Sequence, residues 1–350
     1  MNSIGRIFRI HILGESHGEC VGIVIDGCPA GMPLSAGDFE QDMERRKGGS
    51  RGTTPRREDD TPLFKSGLFN GKTTGAPLTI LFENNNTRST DYEQLKTQPR
   101  PGHADWVAHQ KFGGYEDYRG GGHFSGRLTA CLVAAGVVAK KSIAQTFSKA
   151  ESNITQTFSE AETKINIQAT IVEIGGEIHQ DKGLQKAIDA KDSVGGIVEC
   201  TITGLPVGLG EPFFDSIESL MSHAVFAIPA IRGIEFGTGF AAAKMFGSQH
   251  NDAIVNAAGT TVTNHAGGIV GGIGNGNPMV FRVAVKPTSS TPQTQQTLNT
   301  LTGNVEPLAV RGRHDLCIAL RVPVVLEAVA AMVLADLLML CNKIPRILQP

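Results

Sequence analysis

The side chains in this sequence best suited to chemistry are two histidines set in turns. His17 falls in Gly14-Glu-Ser-His-Gly18, where glycines bracket an acid, a hydroxyl and an imidazole. His103 falls in Arg-Pro-Gly-His-Ala-Asp, residues 100–105, where Pro101 and Gly102 break regular structure and leave His103 and Asp105 on a shaped loop. An imidazole titrates near neutral pH, so either residue could carry a proton to or from a reacting group. A lone histidine in a turn is more often simply solvated. The acid and hydroxyl beside His17 are what favour chemistry.

Cations gather in loops of the same kind. Residues 119–127 read Arg-Gly-Gly-Gly-His-Phe-Ser-Gly-Arg, and three successive glycines let a backbone turn sharply and approach a ligand closely. Ser125 is placed to cap a helix over 128–139 that closes on Lys140 and Lys141, whose charges would complement its C-terminus. A glycine-rich loop entering a helix between Arg119 and Arg127 predicts a bound phosphate. A tight turn with solvated arginines would read the same way. No nucleotide fingerprint is present: Gly120, Gly122 and Ser125 fail G-x-G-x-x-G, and G-x-x-x-x-G-K-[ST] does not occur.

In residues 45–57, Arg45, Arg46, Lys47, Arg51, Arg56 and Arg57 interleave with Gly, Ser and Thr, just before Glu58-Asp-Asp60. Guanidinium forks and backbone N–H groups can converge there on one oxyanion, which suits a phosphorylated ligand. A solvated loop balanced by the acids is the plain alternative. RNA binding ranks below both, because aromatic side chains that stack on bases are missing. Further polar loops are Asn264-His-Ala-Gly-Gly-Ile, Lys286-Pro-Thr-Ser-Ser290 and Arg311-Gly-Arg313-His314-Asp315. Basic loops thus recur at four separated places, as one composite anionic site requires. Separate solvated loops would give the same pattern.

These loops need a scaffold. Apolar alternation at Phe8, Ile10 and Ile12 predicts a half-buried strand over 6–13, with another at 21–25, so the turn of His17 joins two strands. Ser35 and Asp38 read as a capping box for a helix through Met43 and Arg45. Strands are predicted over 165–174, 197–202 and 279–285, and a helix over 217–228. Residues 322–341 have the length of a membrane span, but Pro323, Glu327 and Asp336 interrupt them, and an acid near a span's centre costs on the order of 3 kcal/mol. The acids are nine positions apart and, at about 100° per residue, face opposite sides, so a helix buried between layers is predicted. A near-repeat over 145–164 reads as a surface excursion.

The chain has 350 residues, 40% hydrophobic and 19% charged, which is ordinary for a soluble globular protein. A net charge of −2 gives no general attraction to nucleic acid, so anion binding must be local. Six cysteines without a C-x-x-C pair point to neither a zinc site nor a disulfide framework and fit a reducing cytoplasm. The N-terminus lacks the apolar core of a signal peptide. No metal, membrane or nucleic-acid partner is expected.

Taken in order, Gly-Glu-Ser-His-Gly at 14–18, Arg-Pro-Gly-His-Ala-Asp at 100–105, Asn-His-Ala-Gly-Gly-Ile at 264–269, Lys-Pro-Thr-Ser-Ser at 286–290 and Gly-Arg-His-Asp at 312–315 closely resemble the chorismate synthase family. The resemblance covers almost the whole chain. It implies an α+β fold over residues 1–350 as one domain, a β-α-β sandwich with buried apolar helices between antiparallel sheets, assembled as a homotetramer. The implied reaction is 1,4-elimination of phosphate from 5-enolpyruvylshikimate 3-phosphate to give chorismate, the last step of the shikimate pathway to aromatic amino acids. Reduced FMN is the implied cofactor, without net redox change.

Matching motifs imply that His17 protonates or holds the departing phosphate, His103 contacts the reduced flavin ring and Asp315 assists proton removal near flavin N5. Arg46 and Arg51 match ligand-binding arginines, and Arg127 joins them as a phosphate contact. Ser125, Ala230, Gly271, Lys286, Pro287, Thr288, Ser289, Ser290 and Arg313 fall at FMN contacts. An external flavin reductase is an expected partner. Some family members reduce their own flavin with NADPH, so a flavin oxidoreductase is a second reading, and an RNA-binding module on residues 45–57 a third. The sequence departs from the family where Arg-Ser-Ser-Ala-Arg-Glu-Thr becomes His123-Phe-Ser-Gly-Arg-Leu-Thr129, and where the basic loop lacks its usual proline.

Overall fold

The computed structural model describes residues 2–87, 92–147, 164–310, 312 and 314–348, so Arg313 and most of the 145–164 near-repeat lie outside the described residues. The first sheet comprises β1 (Ser3–Ile4), β2 (Arg9–Gly14), β3 (Cys20–Asp26), β4 (Leu63–Ser66) and β5 (Leu78–Glu83), antiparallel in the order β1-β2-β3-β5-β4. Period-two alternation puts Ile10, Val21, Ile23, Ile25 and Ile80 into the core. The second sheet, β6 (Asn166–Ile174), β7 (Gly196–Thr203), β8 (Ile231–Phe236) and β9 (Met279–Val285), is antiparallel in the order β8-β9-β7-β6.

Among the described residues, six helices of eight residues or more accompany the sheets: α1 (Gly37–Arg46), α2 (Asp105–Phe112), α3 (Thr129–Phe147), α4 (Gln180–Ala190), α5 (Ile217–Val225) and α6 (Val322–Leu340). Helix α3 lies on β2 and β3, α6 lies on β6 and β7, and the two helices pack on each other to fill the space between the sheets. The fold is therefore α+β, with apolar helices sandwiched by antiparallel sheets. Two helical segments, Gly126–Phe147 and Ile318–Leu340, are long and apolar enough to cross a membrane, but their apolar windows are 78% and 89% buried inside this core.

The helix pair meets at Gly136. A Cβ there would lie 2.3 Å from the Cβ of Ala328 and 2.4 Å from its Cα, so only glycine permits the approach. We expect Gly136→Ala to destabilise the protein by about 1–3 kcal/mol, overpacking outweighing the gain in helix propensity. Denaturant titration checks this, and an unchanged or raised midpoint would contradict it.

The acids of α6 are structural. Asp336 accepts the backbone N–H groups of Arg6, Ile7 and Phe8 at 2.8, 2.7 and 2.8 Å, anchoring the lead into β2. Glu327 accepts both terminal nitrogens of Arg45 at 2.7 Å and the backbone N–H of Ala169 at 3.1 Å. Lys140 and Lys141 do not close α3, which runs on to Phe147; Lys140 instead reaches Asp42 at 2.8 Å and Glu327 at 3.1 Å, and Lys141 pairs with Asp38. At the start of α1, Asp38 accepts from the backbone and hydroxyl of Ser35, so the hydroxyl donates where the capping box would have it accept.

Candidate active site

Residues 119–124 fold as a tight turn in which Gly120, Gly121 and Gly122 all take positive φ, 61°, 81° and 53°. No side chain would fit at the first of them: a Cβ on Gly120 would lie 2.4 Å from His17 Cδ2 and 2.8 Å from Ser16 Oγ. A Cβ on Gly121 would come 3.4 Å from His103 Nε2. The triglycine thus lies against both histidines. Helix α3 begins later than expected: Ser125 accepts the N–H of Arg127 at 3.3 Å to cap a short 3₁₀ turn, Gly126–Leu128, ahead of it.

His103 is held from one side. Its Nδ1 lies 2.5 Å from Asp105 Oδ1, and Asp105 also takes a bidentate bond from Arg100, both distances 2.8 Å. Arg100 Nη2 also lies 3.0 Å from Nδ1, but the nearer partner is the carboxylate, which only accepts, so the neutral ring carries its proton on Nδ1 and leaves Nε2 as an acceptor. Burial and the nearby Arg100 and Lys286 cations lower the His103 pKa against the opposing pull of Asp105, whose own pKa is held far below the usual range by Arg100 and His103 despite burial. Arg100 also donates to Ser290 Oγ at 3.0 Å, Ser289 donates to the Gly102 carbonyl at 2.8 Å, and Lys286 donates to Ser289 at 2.7 Å. Two motifs nearly 190 positions apart therefore form one wall.

The opposite wall is cationic and dry. Asp60, its side chain fully buried and its φ at +54°, bridges Arg46 and Arg127, whose side chains are 4% and 3% exposed. Burial lowers the Arg46 pKa to about 10, against the pull of Asp60, so it remains a cation at neutral pH. Arg321 donates to the Arg46 carbonyl at 2.9 Å and to Asp315 at 3.0 Å, and Asp315 also accepts the N–H of Thr54 at 2.9 Å. Arg56 pairs with Glu58 at 2.7 Å.

These walls enclose a cavity of about 620 Å³. It brings together Arg46, Arg127, His103, Ser125, Ala230, Lys286, Pro287, Thr288, Ser289, Ser290 and Asp315 from the sequence reading. Among the described residues, Arg46 Nε and Thr288 Oγ1 are buried there without a protein partner. A buried donor left unmet costs about 1–3 kcal/mol, and an oxyanion-bearing ligand would satisfy it. The residues present therefore fit a phosphate-bearing substrate and a phosphate-bearing cofactor. A second cavity of about 750 Å³, with Trp106, Phe112, Tyr115 and Tyr118, shares His103, His123 and Phe124 with the first.

Other expected residues stand apart. His17 is 8% exposed and lines neither cavity; it sits one layer behind Gly120 and edge-on to Tyr92, ring centroids 5.1 Å apart. Burial and the Arg56 cation lower its pKa, with Asp117 opposing. Arg51 is outside the cavity, bonded to Gln185 at 2.5 Å. Gly271 is exposed in the turn between Ile269–Val270 and Ile273–Gly274. Arg119 pairs with Asp117 at 2.8 Å, Arg45 with Glu327 and Arg57 with Glu44, so these cations are already matched within the chain. The sequence reading passed over Arg56, Asp60, Arg100 and Arg321 as site residues. Arg100 opens Arg-Pro-Gly-His-Ala-Asp and Asp60 ends the acidic run Glu58-Asp-Asp60, whereas nothing local marks Arg321.

Comparison with known proteins gives these features a family. The chorismate synthase family model matches residues 8–339. A chorismate synthase of Chitinophaga pinensis is 64% identical over 347 residues, covering 99% of both chains, and one of Dehalococcoides mccartyi is 44% identical over 361 aligned positions, again covering 99% of each. A crystal structure of chorismate synthase superposes with a TM-score of 0.69 at 26% identity, covering 97% of this chain and 93% of that one. By this family match, these identities and this shared fold, the chain belongs to the chorismate synthase family.

Proposed function

We propose that this chain is a carbon–oxygen lyase that eliminates phosphate from 5-enolpyruvylshikimate 3-phosphate to form chorismate, with reduced FMN as cofactor. The observation that carries the reading is the cavity wall in which Arg46 and Arg127 share Asp60 while Arg46 Nε remains unmet. Two buried guanidinium groups against one carboxylate leave a net positive charge for a departing phosphate, and fixed charges in a dry site stabilise it without reorganisation. Lys286 and the hydroxyls of Thr288, Ser289 and Ser290, with Ser125 and Ala230, would hold the cofactor beside His103. Reduced FMN, when bound, supplies an electron-rich ring beside the breaking allylic C–O bond.

His17 then protonates or holds the leaving phosphate, and Asp315, fixed by Thr54 and Arg321, assists removal of the ring proton. Gly120, which lines the cavity and has no side chain, lies directly against the imidazole. Arg51 and Gly271 keep their family-implied contacts as part of this proposal, although neither lines the cavity within one chain, and Arg313 lies outside the described residues. Association into a homotetramer is supported by the exposed apolar Phe213, Phe214, Phe240, Phe246, Ile254 and Val262. The continuous core from Phe8 to Leu348 supports one domain, and the six cysteines, none in a disulfide, support a cytoplasmic setting.

The test is anaerobic phosphate release with pre-reduced FMN and, in parallel, with oxidised FMN plus NADPH. Release with pre-reduced FMN alone is the expected result and would assign reduction to an external flavin reductase. Release in both would add a reductase activity, and release in neither would overturn the proposal.

A further inference from the structure

We propose that Asn84 is a positioning residue for His17, closing the turn that carries the histidine and tying it to Arg127. The proposal rests on the catalytic reading of His17 given above. Asn84 follows β5, and its backbone N–H donates to the Glu19 carbonyl at 3.1 Å. Its side-chain Nδ2 donates to the carbonyls of Glu15 and Gly18, both at 2.9 Å, and its Oδ1 accepts from Arg127 Nε at 2.8 Å. The partners fix the amide's orientation, since carbonyls only accept and Nε–H only donates. Both hydrogens and the oxygen are thereby committed.

The two carbonyls lie on either side of Ser16 and His17, so one amide clasps the turn across its mouth. On its other side the turn is secured by Ser16, whose N–H donates to Gly122 at 3.1 Å. Asn84 lines neither cavity, so it acts through the residues it holds. What it sets is the separation between an imidazole and a guanidinium that must act on one phosphate. Arg127 in turn grips Asp60 and, through it, Arg46. The proton donor and the cationic wall are thus registered to each other through a single side chain.

Asn84→Asp and Asn84→Ala separate the two ends of this joint. The aspartate keeps an acceptor for Arg127 but turns a carboxylate toward two carbonyls, opening the turn. The alanine removes both links. Asn84→Asp is expected to lower kcat about a hundredfold, as misplacement of a reacting group by about 1 Å does. KM should stay near wild type in Asn84→Asp and rise in Asn84→Ala.

In a His17→Ala background, Asn84→Asp should cost nothing further, because coupled residues do not add. The His17 imidazole resonances in ¹⁵N-histidine spectra, assigned by their loss in His17→Ala, should shift in Asn84→Asp without any substrate or cofactor. Wild-type kcat in Asn84→Asp, or a loss that adds in full to that of His17→Ala, would overturn the proposal. Wild-type turnover in His17→Ala itself would remove the catalytic reading and this proposal together, so the two failures are told apart. If Asn84→Asp does not fold, Asn84→Ser, which retains one donor, is expected to show an intermediate loss with the same coupling to His17.

Discussion

His17→Ala is expected to lower turnover by about 10²–10⁴-fold, the contribution of a positioned general acid, while the variant still melts cooperatively. The imidazole is buried edge-on to Tyr92 and under Gly120, with Arg56 beside it. Burial and that cation lower its pKa, so the free enzyme holds it neutral at pH 7. The sign of the pH dependence follows. A residue that must donate a proton is lost as pH rises through its pKa, so kcat/KM, which reports the free enzyme, should fall above a pKa lower than the ordinary 6.5. A phosphate dianion bound beside the ring favours the imidazolium, so kcat should hold to higher pH than kcat/KM. Coincident profiles, or wild-type turnover in His17→Ala, would contradict the role.

The parts of this molecule legible in the sequence are those set by local pattern. The buried helix α6 followed from an apolar run with two acids on opposite sides, and those acids are met from different directions, Glu327 by Arg45 and Lys140 and Asp336 by the backbone of residues 6–8. The triglycine turn was legible because three glycines in a row have few uses other than positive φ and close approach, whereas its packing against His17 and His103 was not. What could not be read was pairing across the chain. Lys140 and Lys141 looked like a helix end because their partners Glu327, Asp42 and Asp38 lie 187, 98 and 103 positions away.

The basic loop illustrates the same limit. Six cations in thirteen residues invited the reading of one anion site, yet all six have an acid or amide partner within the chain, and of the six Arg46, Lys47 and Arg56 line the cavity. Which arginine faces a ligand is decided by where Asp60, Glu58, Glu327 and Glu44 fall in three dimensions. Asn84 was equally silent, since an asparagine after a strand carries no signal until its three partners are known.

Asp60→Ala is expected to be the most damaging single substitution for stability, lowering it by about 3–5 kcal/mol, as removing one partner of a buried ionic cluster does. Arg46 and Arg127 would be left facing each other with almost no access to water. The backbone adds to the loss, because φ at Asp60 is +54°, a conformation alanine adopts reluctantly and asparagine readily. Asp60→Asn should therefore keep the local shape and lose chiefly the charge, which separates the electrostatic part of the effect from the conformational part. With its carboxylate gone, the site should welcome an anion in its place. Inorganic phosphate or sulfate should then raise the melting temperature of Asp60→Asn more than that of the wild type, since a ligand that binds only the folded state stabilises it by mass action. Calorimetry with and without phosphate reads both effects. An Asp60→Ala variant as stable as wild type would mean that water or movement of the arginines has relieved the buried charge, and the cationic wall would then be softer than its geometry shows.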